Sequence, residues 1–153
     1  MERTLILLKP DAVTKKFCGK VIARFEEAGL TICGCKMMNL DAAVLREHYA
    51  HIADKPFFAG IKAFMKSSPV VVMVLSGINA VSATRIIVGP TKGYEADAGS
   101  IRGDLSLSIQ SNVVHSSDSV ENGKAEVARF FKDSELFDYK KTNFDYIYAD
   151  EAF

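Results

Sequence analysis

A histidine closing a short apolar run, followed by hydroxyls and a carboxylate, is the part of this chain best suited to chemistry: Asn112-Val113-Val114-His115-Ser116-Ser117-Asp118-Ser119. A neutral imidazole is a good nucleophile near pH 7, and its reactive nitrogen is chosen by what the other nitrogen bonds. Cations stand at the ends of expected elements: Lys9 after a strand, Arg85 late in a helix and Arg102 in a glycine-rich stretch. With the Thr91 hydroxyl between them they look like a grip on phosphate oxygens, because a guanidinium fork can bond two oxygens at once. These residue types point to phosphoryl transfer through His115. Other chemistries lack their parts. The chain has no Gly-x-x-x-x-Gly-Lys-Ser/Thr loop, no Cys-x-x-Cys, no His-Glu-x-x-His and no Gly-x-Ser-x-Gly. His48 and His51 have helical i, i+3 spacing but no third ligand nearby, so they read as surface residues rather than a metal pair.

Holding these groups requires rigid elements on both sides of His115. Val113-Val114 reads as the end of a buried strand of roughly four to six residues. A helix should follow: Asp118 and Ser119 are N-cap types, Glu121 has capping-box spacing from Asp118, and Val120, Lys124, Val127 and Phe131 recur at helical intervals. Upstream, Thr4 to Leu8 reads as a central strand stopped by Pro10. Val21, Ile22, Phe25 and Ala28 give a helical face closed by Gly29, and Leu30 to Leu40 returns to strand character. Asp41 should cap a helix carrying Val44, Leu45, Tyr49 and Ile52, which breaks at Lys55-Pro56 before a short helix through Ile61, Phe64 and Met65. Pro69 to Leu75 is the most apolar run and reads as a strand buried on both faces. Asn79 to Val88 is helical, and from Gly89 to Asp104 the periodicity disappears, the mark of a functional loop. Read as β-α-β-β-α-β with extra helices, this order suits an α/β (α+β) ferredoxin-like sandwich, a four-stranded antiparallel sheet with helices on one face.

Composition sets the outer bounds. The 153 residues suit a single domain, and 48% hydrophobic with 25% charged residues is the mix of a globular protein. Lys plus Arg and Asp plus Glu are both 19, which argues against a nucleic-acid platform yet leaves room for a local basic pocket. Cys18, Cys33 and Cys35 form no metal-ligand spacing; Cys33 and Cys35 fall on one side of a strand and read as small buried residues in a reducing compartment. No signal peptide and no membrane-spanning apolar run is visible, so the expected location is cytoplasmic.

The stretch around His115 resembles the active-site signature of nucleoside diphosphate kinases, which usually reads N-x-x-H-G-S-D. Further stretches agree with that family in order and spacing: Glu2-Arg3-Thr4 through Lys9-Pro10-Asp11, His48-Tyr49 with Pro56-Phe57-Phe58, Ser68-Pro69-Val70-Val71, and Gly99-Ser100-Ile101-Arg102-Gly103-Asp104. The resemblance implies a ferredoxin-like fold and a magnesium-dependent, ping-pong exchange of the γ-phosphate between nucleoside triphosphates and diphosphates. Carried over by position, His115 would accept the phosphate, and Ser117 and Glu126 would orient it. Arg85, Thr91 and Arg102 would hold the phosphates, with Lys9 and Asn112 at the ribose and Tyr49 near the transferred group. Lys9 and Tyr49 would thereby join the catalytic set, and Phe57 would stack on the base, which predicts tolerance of all four bases. Mg²⁺ would ride on the nucleotide's phosphate oxygens without direct protein ligands, Asp118 reaching it through water if at all. The resemblance also implies a homo-oligomer, a hexamer in preference to a tetramer, with the aromatic tail 138–153 of this single domain docked on a neighbouring subunit. Ser116 departs from the family's glycine, Lys92-Gly93-Tyr94 from its usual Asn-Pro-Ala, and Ser111 from its usual arginine. A side chain at 116 could crowd the phosphate, and the missing proline removes rigidity from its loop. Two other readings stay open: a protein phosphotransferase, and an inactive interaction subunit of the same fold.

Overall fold

Uninterrupted apolar runs become the central strands. β1 (Glu2–Leu8) lies beside the third strand in sequence, so that beyond β2 (Thr31–Met38) the run after Pro69 forms β3 (Val70–Gly77), buried at every residue. β1 pairs antiparallel with β3 from Glu2–Gly77 to Leu8–Val71. β4 (Val114–Ser116) pairs antiparallel with the other side of β1, and the sheet order is β2-β3-β1-β4. The computed structural model describes residues 1–139 and 141–149; Lys140 and residues 150–153, including Phe153 of the aromatic tail, lie outside the described residues.

The helices are α1 (Pro10–Thr14), α2 (Cys18–Glu27), α3 (Ala42–His48), α4 (Phe58–Met65), α5 (Ala80–Val88), α6 (Ile101–Leu105), α7 (Val120–Phe130) and α8 (Phe144–Tyr148). None among the described residues is long and apolar enough to cross a membrane. Pro10 ends β1 and starts α1, where its missing N–H costs nothing. Asp41 caps α3, accepting from the Val44 N–H at 2.8 Å. Gly29 follows α2 with φ of 91°, a left-handed residue that glycine tolerates best.

Strand order and chain order together make the ferredoxin-like sandwich, but helices cover both faces of the sheet. On one face Ile6, Leu8, Met73 and Leu75 pack with Val21 and Phe25 of α2 and Ala80 and Val88 of α5. On the other, Leu5, Leu7, Val72 and Val74 pack with Leu45 of α3, Met65 of α4 and Val127 and Phe130 of α7. The added helices thus correct the expectation of one covered face, and they explain why alternate residues of β1 and β3 are equally apolar.

Several boundaries differ from the sequence reading for local reasons. The His115 strand is three residues long, because Val113 turns with φ of 72° while the Val114 N–H donates to Asn112 O at 2.8 Å. That is a γ-turn, a rare and strained conformation for a β-branched residue. Ser119, not Asp118, caps α7, accepting from the Asn122 N–H at 3.1 Å, so the Asp118–Glu121 spacing is not used as a capping box. The stretch 89–104 contains a 3-10 turn, Gly93–Glu95, and the start of α6, whose cap Ser100 accepts from the Gly103 N–H at 3.0 Å. Cys33 is buried but Cys35 is exposed, because the ladder with β3 shifts register between Ile32 and Gly34. The extra residue of that bulge flips the alternation and sends Cys35 to the opposite face.

Candidate active site

β4 presents His115 toward the side of the sheet covered by α3 and α7. Nε2 of His115 lies 3.1 Å from each carboxylate oxygen of Glu126, on α7. Glu126 also accepts from the Ser117 hydroxyl at 2.6 Å, and that hydroxyl in turn accepts from the Leu5 N–H of β1 at 3.1 Å. Burial alone would raise the Glu126 pKa, but the hydrogen bond and charge of His115, then Ser117 and His48, outweigh it and hold the group at about 2. An ionised carboxylate only accepts, so Nε2 carries the proton and the lone pair of Nδ1 is left for reaction. Alternation along β4 turns Ser116 away from His115, and its Oγ is buried without a partner. The residue still borders the cleft, with its hydroxyl turned into the interior.

A cleft of about 820 Å³ opens at His115. It is lined by Lys9, Tyr49, Phe57, Arg85, Thr91, Arg102, Asn112, Asp118 and Glu126 as well, so of the residues singled out in the sequence only Ser117 stands behind the wall. Lys9 Nζ donates to Asn112 Oδ1 at 2.6 Å, and Asn112 Nδ2 donates to Thr91 O at 2.9 Å, which ties the strand end to the loop. Burial lowers the Lys9 pKa to about 8, helped by the charge of Arg102 and opposed by Asp11. Arg102 is buried, and its Nε, Nη1 and Nη2 donate to the carbonyls of Asn112, Gly89 and Val114 at 3.2, 3.0 and 2.6 Å. Burial first, and Arg85 second, bring its pKa down to about 10. An anion would relieve the burial and like charge that lower Lys9 and Arg102, and the exposed Arg85 guanidinium and Thr91 hydroxyl border the same space. Phe57 is 56% exposed and borders the cleft. Burial, then the charge of Glu126, raises the Tyr49 pKa to about 12, so its hydroxyl stays a donor.

The sequence reading missed three residues here. His48 is not on the surface: it is buried, with its ring edge-on to His115 at a centroid distance of 4.6 Å, which corrects its assignment as a solvated helix residue. Burial, then the nearby His115, lowers its pKa to about 3, and it stays neutral. Arg129 borders the cleft and donates to His48 Nδ1 at 3.3 Å; its i, i+3 spacing from Glu126 was the available signal. Asp11 is buried and accepts from the Val113 N–H at 3.0 Å, bracing the γ-turn before His115.

Among the described residues, the group of His, Cys, Asp and Glu side chains close enough to share an ion is His48, His115 and Glu126. That nitrogen-rich set suits zinc better than magnesium, which prefers oxygens, and its donor atoms are already engaged with one another and with Arg129. Asp118 borders the cleft with one oxygen accepting from Asn122 Nδ2 at 2.6 Å, which does not make a cage for a hard cation. A cation carried in by phosphate oxygens fits these residues; a resident one does not. A separate cavity of about 680 Å³ under the C-terminal segment is lined by none of the candidate residues.

The family model for nucleoside diphosphate kinase matches residues 2–136. A nucleoside diphosphate kinase of Parabacteroides distasonis is 46% identical over 153 residues, covering 100% of both chains. One of Roseiflexus castenholzii is 46% identical over 148 residues, 97% of this chain and 99% of that one. Among solved structures, a nucleoside diphosphate kinase of Halobacterium salinarum in complex with CDP superposes with a TM-score of 0.93 at 38% identity, covering 96% of this chain and 98% of its own.

Proposed function

Because the chain belongs to the nucleoside diphosphate kinase family, we propose a residue-by-residue account of its reaction with His115 as the group that carries the phosphate. The activity is exchange of the γ-phosphate between a nucleoside triphosphate and a diphosphate, by a ping-pong route through a phosphohistidine. The observation that carries the assignment is the pairing of His115 Nε2 with both oxygens of Glu126, which leaves Nδ1 as the nucleophile. Nδ1 donates its lone pair to the γ-phosphorus, the bond to the β,γ-bridging oxygen breaks, and the diphosphate leaves with that electron pair. The positive charge that develops on the imidazole is met by Glu126, itself fixed by Ser117. A second diphosphate then takes the phosphoryl group by the reverse displacement.

Arg85, Thr91 and Arg102 hold the phosphates, with Tyr49 donating near the transferred group. Lys9 and Asn112 meet the ribose, and Phe57 stacks on the base. Enzymes of this family need a divalent cation, and Mg²⁺ is the one proposed: carried in on the nucleotide it would neutralise phosphate charge, and Asp118 would be the residue to meet it through water. They are also oligomeric; the assembly proposed is a hexamer of single-domain chains, with tail residues meeting a neighbouring subunit. The compartment proposed is the cytoplasm.

The test is the phosphoenzyme. Incubation with Mg·ATP and no acceptor is expected to leave one phosphate per chain, labile in acid and stable in alkali, and GDP should discharge it. His115→Gln should abolish labelling and turnover. Ser117→Ala and Glu126→Ala should slow labelling by loss of orientation, on the order of tenfold to a thousandfold, without preventing it. Label accepted at a comparable rate by the His115→Gln protein would overturn the assignment.

A further inference from the structure

The cleft holds a charged side chain that this reaction leaves idle. Arg129, on α7, is 17% exposed at its side chain and donates through Nε to Glu47 Oε1 at 2.9 Å. Its Nη1 lies 3.3 Å from His48 Nδ1. A guanidinium has no acceptor, so this contact makes Nδ1 the bare nitrogen and His48 the neutral Nε2–H tautomer. The ring held in this way stands edge-on to His115, and its Nδ1 is 4.0 Å from Glu126 Oε1.

Those distances connect Arg129 to the nucleophile. Both Glu126 oxygens now serve His115 Nε2 at 3.1 Å. If the proton of His48 sat on Nδ1 instead, that nitrogen would be a second donor 4.0 Å from Oε1, a gap that a small rotation closes. Glu126 would then be divided between two imidazoles, and His115 would lose the partner that keeps its Nδ1 free of a proton. We propose that Arg129 is a positioning residue: by occupying Nδ1 of His48 it reserves Glu126 for His115. The groups facing His48 are His115 from β4, Glu126 and Arg129 from α7, and His51 from the turn after its own helix. Burial and the three basic groups oppose a charge on His48, and Glu126 alone favours one. The ring is neutral either way, so the tautomer is what Arg129 decides. The inference rests on His115 being the phosphate acceptor.

The test is rapid-mixing measurement of phosphorylation of the full chain by Mg·ATP, alongside ADP binding and imidazole ¹⁵N spectra. Arg129→Met is expected to slow phosphorylation about tenfold while ADP affinity stays within about twofold. The ¹⁵N spectrum of that variant should show His48 moving from Nε2–H to Nδ1–H. Arg129→Lys keeps a donor and should recover most of the rate; Arg129→Leu repeats the comparison if the methionine variant does not fold. In a His48→Phe background, which has no competing nitrogen, Arg129→Met should add nothing further. An unchanged rate constant and tautomer in Arg129→Met overturns the proposal. So does a loss confined to ADP affinity, which would make Arg129 a direct phosphate ligand. Absence of label on His115 in the unaltered chain would instead remove the phosphohistidine assignment, and this inference with it.

Discussion

Ser116 carries a hydroxyl for which the described interior offers no partner; the residue is 3% exposed and its Oγ makes no hydrogen bond. An unmade hydrogen bond of this kind costs about 1–3 kcal/mol. Ser116→Ala is therefore expected to raise stability by about 1 kcal/mol, read as a higher urea midpoint at constant slope. Ser116→Gly removes the same hydroxyl but adds backbone freedom to a strand, so it should gain less than alanine. A lower midpoint for Ser116→Ala would show that the hydroxyl has a partner after all. At this scale the site was legible where residue type announces chemistry: a histidine among hydroxyls, and arginines at element ends. It was not legible where packing decides. His48 and His51 are equivalent by spacing, and only the approach of β4 to the end of α3 distinguishes the buried ring from its neighbour.

Elements show the same division. Helix starts at Asp41 and strands at apolar runs could be read directly, because caps and periodicity are local. The short length of β4 could not, since the γ-turn at Val113 is held by Asp11 and by the Lys9 N–H, both about a hundred residues away in sequence. The loop before α6 is a third case. Its Lys92-Gly93-Tyr94 looked like a loss of rigidity, yet a Cβ added at Gly93 would stand 2.5 Å from the Ser106 carbonyl oxygen. The Gly93 N–H also donates to Ser108 O at 3.4 Å. A proline there would meet the first contact and lose the second. Gly93→Pro, the change that restores the residue typical of the family, is expected to destabilise by about 2 kcal/mol or more, measured by urea unfolding. A stabilised variant would mean that the 106–108 backbone yields freely.

For the molecule as a whole, the edge strand β2 and exposed apolar residues such as Met37, Ile86, Tyr94 and Leu107 leave surface for neighbours. The described part of the tail packs on its own chain, where Tyr139 donates to Ile32 O at 2.8 Å and the buried Tyr148 hydroxyl accepts from the Ile78 N–H at 3.1 Å, while Tyr146 is 93% exposed. Light scattering is expected to return six chains, and a monomer or dimer at working concentration would refute the assembly. Acid should weaken the folded state through the same groups that arrange His115. Burial, reinforced by His115, takes the His48 pKa from 6.5 to about 3. Between those values the unfolded chain binds a proton that the folded chain refuses, so stability falls as pH falls. Glu126 acts in the same direction over a lower window: burial alone would raise its pKa, but the bonds and charges of His115, Ser117 and His48 outweigh it and bring it from 4.5 down to about 2. Its contribution is complete above 4.5 and is lost as the carboxylate is protonated in the folded chain. Urea unfolding at fixed chain concentration, which holds subunit association constant, should lose about 1 kcal/mol per pH unit from pH 6.5 to 4.5 on account of His48 and fall more steeply below. His48→Phe should flatten the upper window and spare the lower one, because the phenyl ring fills the space beside Phe130 without a proton to gain. An upper window equally steep in both proteins would assign the acid sensitivity to groups other than His48.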